Sequence, residues 1–266
     1  MSNFSPTPNM IAEKQGPVGK LVFNKPAKHN ATSTDMWEAI PVILDEFEKD
    51  PAIRVVVVTG AGDKAFVSGA DISEFEKARN TPEQVAYYDK IGEVANARLT
   101  KCAKPTIARI RGYCIGGGLA TALTCDIRIA SDNSRFGVPA ARLGLGYRAS
   151  GLKNLMNLVG PAYAKEIFFT ARQFDAQEAL AMGLLNRIVP DAELDAYVDD
   201  YCRRIGENAP LTMHAAKRTV EELTRLDGNP DFARLTGLVK ECFASEDYVE
   251  GRRAFMEKRR PQFKGR

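Results

Sequence analysis

Short hydrophobic runs alternate with amphipathic stretches along the first three quarters of the chain, a pattern typical of proteins in which strands and helices take turns. The segment VGKLVF (Val18–Phe23) predicts a strand. The segment RVVVVTG (Arg54–Gly60) predicts a strand buried on both faces, as in a parallel sheet. Further strands are predicted for TIARIRG, DIRIAS and LLNRIV. The fold class that follows is α/β.

Helical periodicity appears between these strands. A helix is predicted to open at Ser33 or Thr34, and Pro41 inside its pattern predicts a kink or an earlier start, because proline removes an N–H and clashes with the preceding turn. Thr81 is predicted to be the N-cap of a long second helix, and Pro82 its first residue. The apolar face of the first helix comprises Met36, Ile40, Ile43, Leu44 and Phe47.

Beyond Pro190 the whole pattern is helical, over residues 191–208, 211–226, 231–244 and 246–258. We therefore predict an α/β core over residues 1–195 and a helical C-terminal region over 196–266. The length agrees with this division, because 266 residues hold one large domain and an appendage at roughly 150 residues per domain.

Composition excludes several classes of protein. Apolar residues make up 44% of the chain and charged residues 27%, which excludes a disordered chain. No apolar run reaches the roughly 18–20 residues of a membrane span, and the N-terminal residues lack the features of a secretory signal. We therefore expect a cytoplasmic protein with no membrane partner. The net charge of +3 is too small to argue for nucleic acid as the main partner.

Positive charge is concentrated at the C-terminus. Residues 252–266 hold seven basic residues and one acid, a local charge of +6 that leaves −3 for the rest of the chain. This basic tail is either a solvated helix end or a site for an anionic ligand. RNA binding through the tail is a third, weaker hypothesis.

The number and spacing of the cysteines and histidines argue against several kinds of disulfide, metal and catalytic site. The five cysteines are widely spaced without a CxxC motif, which argues against a disulfide framework and a thiolate zinc site and fits a reducing compartment. Only His29 and His214 are present, which excludes a multi-histidine metal centre. A Ser-His-Asp triad would depend on one of these two residues.

Two glycine-containing turns carry the candidate chemistry: Ser68-Gly69-Ala70-Asp71-Ile72 and Ile115-Gly116-Gly117-Gly118-Leu119. Glycine lets a ligand approach backbone N–H groups closely, and a helix N-terminus adds unpaired donors and a positive dipole. Two such N–H groups directed at one point form an oxyanion hole. Taken singly, either motif is more often a tight strand-to-helix turn.

In this order and setting, the two turns resemble those of the crotonase (enoyl-CoA hydratase/isomerase) superfamily. The resemblance extends over nearly the whole chain, through NKPAKHNA, VVVVTGAGDKAFVSGADI, KPTIARIRGYCIGGGLATALTCDIRIAS, FGVPAARLGLG, ARQFDAQEALAMGLLNRIVP and SEDYVEGRRAFMEKRRPQF. It implies a crotonase-like spiral of ββα units with a C-terminal helical oligomerisation region, assembled as a homotrimer or as a hexamer of two trimers. It also implies an acyl-CoA thioester substrate and no cofactor beyond the CoA of that substrate.

The resemblance also implies roles for individual residues. Ala70 and Gly117 would donate the two N–H groups that hold the thioester oxygen, where enolate charge builds up. CoA would run between the early turn near Lys28 and the loop after Ala70, and a neighbouring subunit would bring Phe255 and Lys258 to the adenine end. The positions expected to bind substrate are Lys28, Ala70, Asp71, Ile72, Ser73, Gly117, Phe255 and Lys258.

The hydratases of this superfamily share the proton chemistry between two glutamates. At the positions that match them by resemblance, this sequence has Ala120 and Ala140. Alanine cannot transfer a proton, so we predict very weak hydration of crotonyl-CoA. Candidates for the missing chemistry are Tyr147 as general acid, Arg148 as ligand for a substrate carboxylate, and Glu74 as acid or base. Two functions stay open: an acyl-CoA-processing lyase or isomerase that stabilises a thioester enolate, and a non-catalytic acyl-CoA-binding homologue.

Overall fold

The computed structural model describes residues 2–71, 81–224 and 228–266. The strands are β1 (Ser2–Thr7), β2 (Met10–Gln15), β3 (Val18–Phe23), β4 (Val55–Gly60), β5 (Ala65–Val67), β6 (Thr106–Ile110), β7 (Tyr113–Ile115), β8 (Ile127–Ser131), β9 (Arg135–Gly137), β10 (Phe174–Asp175) and β11 (Arg187–Val189). The helices are α1 (Thr34–Lys49), α2 (Pro82–Thr100), α3 (Gly117–Ala122), α4 (Ala149–Thr170), α5 (Ala176–Ala181), α6 (Leu194–Gly206), α7 (Pro210–Leu223), α8 (Phe232–Ala244) and α9 (Glu246–Met256). None of the helices described here is both long and apolar enough to cross a membrane.

The described strands form two sheets. Seven of them make the larger sheet in the order β1-β2-β3-β4-β6-β8-β11, antiparallel from β1 to β3 and parallel from β3 onward. The smaller sheet has the order β10-β9-β7-β5, in which β5, β7 and β9 run parallel. The parallel strands confirm the α/β class.

The chain alternates between the two sheets in a repeated ββα unit. Strands β4, β6 and β8 lie in the larger sheet, and the strand that follows each of them lies in the smaller one. Among the described α-helices, α2 is the first after β5, α3 the first after β7 and α4 the first after β9. This repeat is the spiral that the resemblance implies, and it brings the carboxyl ends of three short strands to one edge.

Strand β4 is buried along its whole length, as its run of valines predicts. Val56 and Val58 face the main core, to which α1 and α2 contribute. Val55 and Val57 face a second cluster that is closed by Val198 and other residues of α6. The division of the chain at residue 195 stays a prediction. Helix α6 (Leu194–Gly206) spans that point and packs directly on the sheet.

Two features differ from the sequence-based picture. Helix α1 begins at Thr34 and keeps Pro41 in its interior, so the proline does not move the helix start. The hairpin β1–β2 and the short strands of the smaller sheet were not predicted. Strands of two or three residues are too short to show an alternating pattern, and they form by pairing with distant segments.

Candidate active site

The candidate site lies at the edge where β5, β7 and β9 end. Strand β7 pairs in parallel with β5 on one side and with β9 on the other. The turn with Ala70 follows β5, Gly117 follows β7, and Ala140 follows β9. Because the carboxyl ends of parallel strands share one edge, the three predicted site segments lie side by side.

Ala70 is held by an isolated parallel bridge to Thr32. The Thr32 N–H donates to the Gly69 carbonyl over 2.7 Å, and the Asp71 N–H donates to the Thr32 carbonyl over 2.9 Å. In a parallel ladder these bonds use the groups that flank Ala70, so its own N–H points away from Thr32. No acceptor for this N–H lies within the described ranges.

The second turn packs directly against the first. A methyl group at Gly118 would lie 2.0 Å from the carbonyl oxygen of Val67, so only glycine lets α3 approach β5 this closely. A methyl group at Gly116 would lie 3.9 Å from Cα of Gly69, which places the two glycine turns in contact. Gly117 opens α3, and its N–H has no acceptor among the residues that the structure describes.

The loop after Ala70 is tied to the early turn by charge. The buried carboxylate of Asp71 accepts from Lys25 at 2.7 Å and from Lys28 at 3.0 Å. The structure thus joins Lys28 and Asp71, both predicted to bind substrate, but it does not test that role. Three further predicted residues lie outside the described residues: Ile72, Ser73 and Glu74.

Two cavities adjoin the site. The first has a volume of about 470 Å³ and is lined by Gly117, Ala120, Tyr147 and Arg148, among others. The second, of about 560 Å³, is lined mainly by apolar side chains and includes Ala140 and Tyr147. The two alanines thus open onto different cavities, and Tyr147 contributes to both.

Tyr147 has the setting of a neutral proton donor. Its ring meets the Phe168 ring edge-on, with centroids 4.8 Å apart. Burial raises the pKa of the Tyr147 hydroxyl above its ordinary value, so the hydroxyl stays protonated at neutral pH. Within the described part of the chain, no side chain or backbone group is hydrogen-bonded to this hydroxyl.

Arg148 is already engaged. Its guanidinium donates to Glu93 at 2.9 Å and to Asp89 at 3.2 Å, and both acids lie on α2 at the wall of the first cavity. Binding of a substrate carboxylate by Arg148 would compete with these two ion pairs.

Comparison with known proteins identifies the family. The sequence profile described as enoyl-CoA hydratase/isomerase matches residues 13–266. The chain belongs to the enoyl-CoA hydratase/isomerase family. It is 38% identical to the short-chain-enoyl-CoA hydratase of Clostridium acetobutylicum, over 97% of this chain and 98% of that protein. It is 33% identical to the crotonyl-CoA hydratase of Syntrophomonas wolfei, over 96% of this chain and 97% of that protein.

Solved structures agree with the family assignment. The crystal structure of an enoyl-CoA hydratase/carnithine racemase from Magnetospirillum magneticum matches with a TM-score of 0.90 at 34% identity. The match covers 97% of this chain and 96% of that one. The fold implied by the resemblance to the enoyl-CoA hydratase/isomerase family is therefore confirmed.

Phe255 and Lys258 lie at the end of α9, where the resemblance to the family expects contacts with CoA bound to another subunit. The Phe255 side chain is 83% exposed, and Lys258 adopts a left-handed backbone conformation just after the helix. Neither residue lines the two cavities described above. Their role in binding stays a prediction.

Sequence reasoning missed three residues that line the first cavity: Trp37, Asp89 and Glu93. The spacing of Asp89 and Glu93 by four residues places both on one face of α2, and this signal is visible in the sequence. Nothing local marks Trp37, which follows the regular pattern of a buried helix residue. In the described ranges no group of three histidine, cysteine, aspartate or glutamate residues could hold a metal ion.

Proposed function

We propose that this member of the enoyl-CoA hydratase/isomerase family is an acyl-CoA-processing enzyme that stabilises a thioester enolate with the N–H groups of Ala70 and Gly117. The observation that carries the proposal is the contact between the two glycine turns. It is supported by the orientation of the Ala70 N–H away from Thr32 and by the position of Gly117 at the start of α3.

The proposed chemistry follows from where charge develops. Removal of a proton from the carbon next to the thioester, or addition at the neighbouring carbon, puts negative charge on the thioester oxygen. Two N–H groups already fixed in place stabilise that charge without rearranging, and loss of one such donor typically costs about 3 kcal/mol. Tyr147 is our first candidate for the proton donor, because its hydroxyl is neutral and lies between the two cavities.

Classical hydration is not the activity that we expect. A hydratase needs paired acids to activate water and deliver a proton, and the matching positions here are Ala120 and Ala140. The curated relatives named as hydratases support a lyase, and the exact reaction is left to experiment. The decisive assay incubates the protein with a panel of acyl-CoA thioesters and follows products by mass spectrometry. Turnover of crotonyl-CoA at the rate of an ordinary hydratase would show that our interpretation of the two alanines is wrong.

A non-catalytic acyl-CoA-binding protein is the second candidate. It is favoured by one observation, namely that Asp89 and Glu93 at the first cavity are both paired with Arg148 and are therefore not free bases. Binding of acyl-CoA esters by calorimetry, without any product from the panel, would select this alternative over the enzyme.

We also propose that CoA lies along the early turn and the Ala70 loop, with Lys28 and Asp71 near it, and that Phe255 and Lys258 serve a neighbouring subunit. Exposed apolar side chains on α8 support a trimer or a hexamer of two trimers: Phe232 is 65% exposed and Phe243 is 58% exposed. Sedimentation measures the assembly directly. Lys258→Ala is expected to weaken CoA-ester binding without changing the sedimentation coefficient.

A further inference from the structure

The first cavity contains a buried hydrogen-bond donor that the proposed mechanism does not use. Trp37 on α1 is 4% exposed and lines this cavity. Its Nε1–H is buried and has no hydrogen-bond partner in the part of the chain that the structure describes. A buried donor without a partner costs about 1–3 kcal/mol, whereas phenylalanine would fill much of the same space without this cost.

The position of the indole ties it to the proposed reaction centre. A methyl group at Gly117 would lie 3.8 Å from Cζ2 of Trp37, and one at Gly92 would lie 4.0 Å from Nε1. The ring is thus enclosed between the start of α3 and the middle of α2. A group held by the Trp37 N–H would belong to a ligand that also reaches Gly117.

The charged side chains that line the first cavity favour an anionic ligand. Three cations line it (Lys101, Arg148 and Lys153), together with two carboxylates, Asp89 and Glu93. Arg148 pairs with both carboxylates. Within the described ranges neither Lys101 nor Lys153 has an ion-pair partner, so the cavity has an excess of positive charge.

The second cavity offers a contrast. Its lining is dominated by apolar side chains such as Leu145, Met156 and Phe168. A plain alkyl chain would be matched by that surface. The first cavity is lined instead by Trp37, whose buried N–H is unused, and by two lysines without an ion-pair partner among the described residues. The two cavities therefore differ in the ligand chemistry that they favour.

We infer that the substrate of the proposed enzyme is an acyl-CoA whose acyl chain carries a carboxylate, which the Trp37 N–H and Lys153 bind in the first cavity. A carboxylate accepts from the indole N–H and is attracted by the ammonium groups. This inference rests on the proposed function, because it assumes that the thioester lies against Gly117.

Calorimetry with two saturated thioesters of equal chain length tests the inference. Glutaryl-CoA ends in a carboxylate and pentanoyl-CoA in a methyl group. We expect the wild-type protein to bind glutaryl-CoA more tightly, and Trp37→Phe and Lys153→Met each to weaken glutaryl-CoA binding about tenfold while changing pentanoyl-CoA binding less than twofold. Lys90→Met is the matched control, because Lys90 lies on α2 but does not line the cavity.

Lys153 is half-buried near the start of α4, so Lys153→Met keeps the test valid if Trp37→Phe disturbs the core. Equal affinity for the two esters in the wild type overturns the inference and leaves the proposed function standing. The same conclusion follows if both variants weaken the two esters alike, since that result indicates a structural role. Absence of binding to either ester overturns the proposed function and the inference together.

Discussion

Lys25 Nζ lies 2.7 Å from Oδ2 of Asp71, and Lys28 Nζ lies 3.0 Å from the same oxygen. Asp71 directly follows Ala70, so the ion pairs join the early turn to the loop that carries a proposed oxyanion donor. The Asp71 side chain is 5% exposed and that of Lys25 is 18% exposed, so solvent screens this pair weakly. The geometry therefore links the stability of the loop to the placement of the Ala70 N–H.

Asp71→Asn is expected to lower the free energy of unfolding by roughly 2–3 kcal/mol, because it leaves the largely buried Lys25 and the half-exposed Lys28 next to a neutral amide. Activity on the best thioester of the panel should fall as well, since the Ala70 peptide loses its anchor. Denaturant unfolding measures the first effect. Arg204→Gln breaks an exposed ion pair with Asp200 and should change stability by less than about 0.5 kcal/mol. Equal effects of the two substitutions would contradict this prediction.

Gly118→Ala is expected to disrupt the site more than alanine at either of the other two glycines of this turn, Gly116 and Gly117. The added carbon would lie 2.0 Å from the Val67 carbonyl oxygen, so α3 has to move away from β5 and carry Gly117 with it. We expect a loss of stability of about 1–3 kcal/mol or more and a loss of acyl-CoA binding. Thermal unfolding and calorimetry measure these two effects.

Gly237→Ala provides the matched control for that substitution. Gly237 lies inside α8 with nothing within 4 Å of the added methyl group, so alanine there should be neutral or stabilising by up to about 1 kcal/mol. A Gly118→Ala protein that unfolds and binds like the wild type would show that α3 and β5 do not need this close contact.

Tyr147→Phe tests the proposed proton donor. Because burial raises the pKa of this hydroxyl, wild-type kcat/KM should stay level through neutral pH and fall only as pH rises above the ordinary tyrosine value of about 10. The variant should lose roughly 10²–10⁴-fold in kcat and keep its affinity for substrate, because a general acid typically contributes that much. Tyr163→Phe changes a partly exposed tyrosine on α4, the helix that follows Tyr147, and should leave kcat unchanged. A kcat within twofold of wild type in Tyr147→Phe would remove this residue from the mechanism.

Features set by neighbouring residues could be predicted from the sequence. The side chain of Thr81 caps α2 by accepting from the Gln84 N–H, and Asp175 with Glu178 forms the predicted capping box at α5. The four valines of β4 predicted its burial on both faces in the same way. Each of these features depends on residues within a few positions of one another, which a pattern can show.

Other features depend on contacts between distant residues and could not be predicted. Arg148 and Asp89 are separated by 59 positions, so their ion pair follows from the packing of α2 beside the start of α4. The sequence shows three consecutive glycines but does not tell which one touches β5, because the contact is with Val67, far back in the chain. The three-residue strands of the smaller sheet likewise depend on pairing between segments that are distant in the sequence.

Glu48 gives a stability prediction that depends on pH. Its carboxylate accepts from Arg98 at 2.5 Å and from the Ala103 N–H at 2.6 Å. Burial alone would raise the pKa of Glu48, but these donors outweigh burial and hold the pKa below its ordinary value. A carboxyl whose pKa is lower in the folded state adds stability above its unfolded pKa of about 4.3 and loses it as pH falls through the folded value.

Glu48→Gln should therefore lower the free energy of unfolding by about 1.5–3 kcal/mol near neutral pH, the range for hydrogen bonds to a charged group. The difference from wild type should shrink as the pH falls below the unfolded pKa of about 4.3 and approaches the lower pKa of the folded state, where the native carboxyl also becomes protonated. Denaturant unfolding at several pH values measures this trend. Glu46, on the same helix as Glu48, forms a partly exposed ion pair with Lys14 of β2. Glu46→Gln should change stability little at any pH, since such pairs near the surface contribute little. The difference in free energy of unfolding between Glu48→Gln and wild type could instead stay constant from neutral to acid pH. In that case the charge of Glu48 does not stabilise the fold, and only the geometry of its hydrogen bonds does.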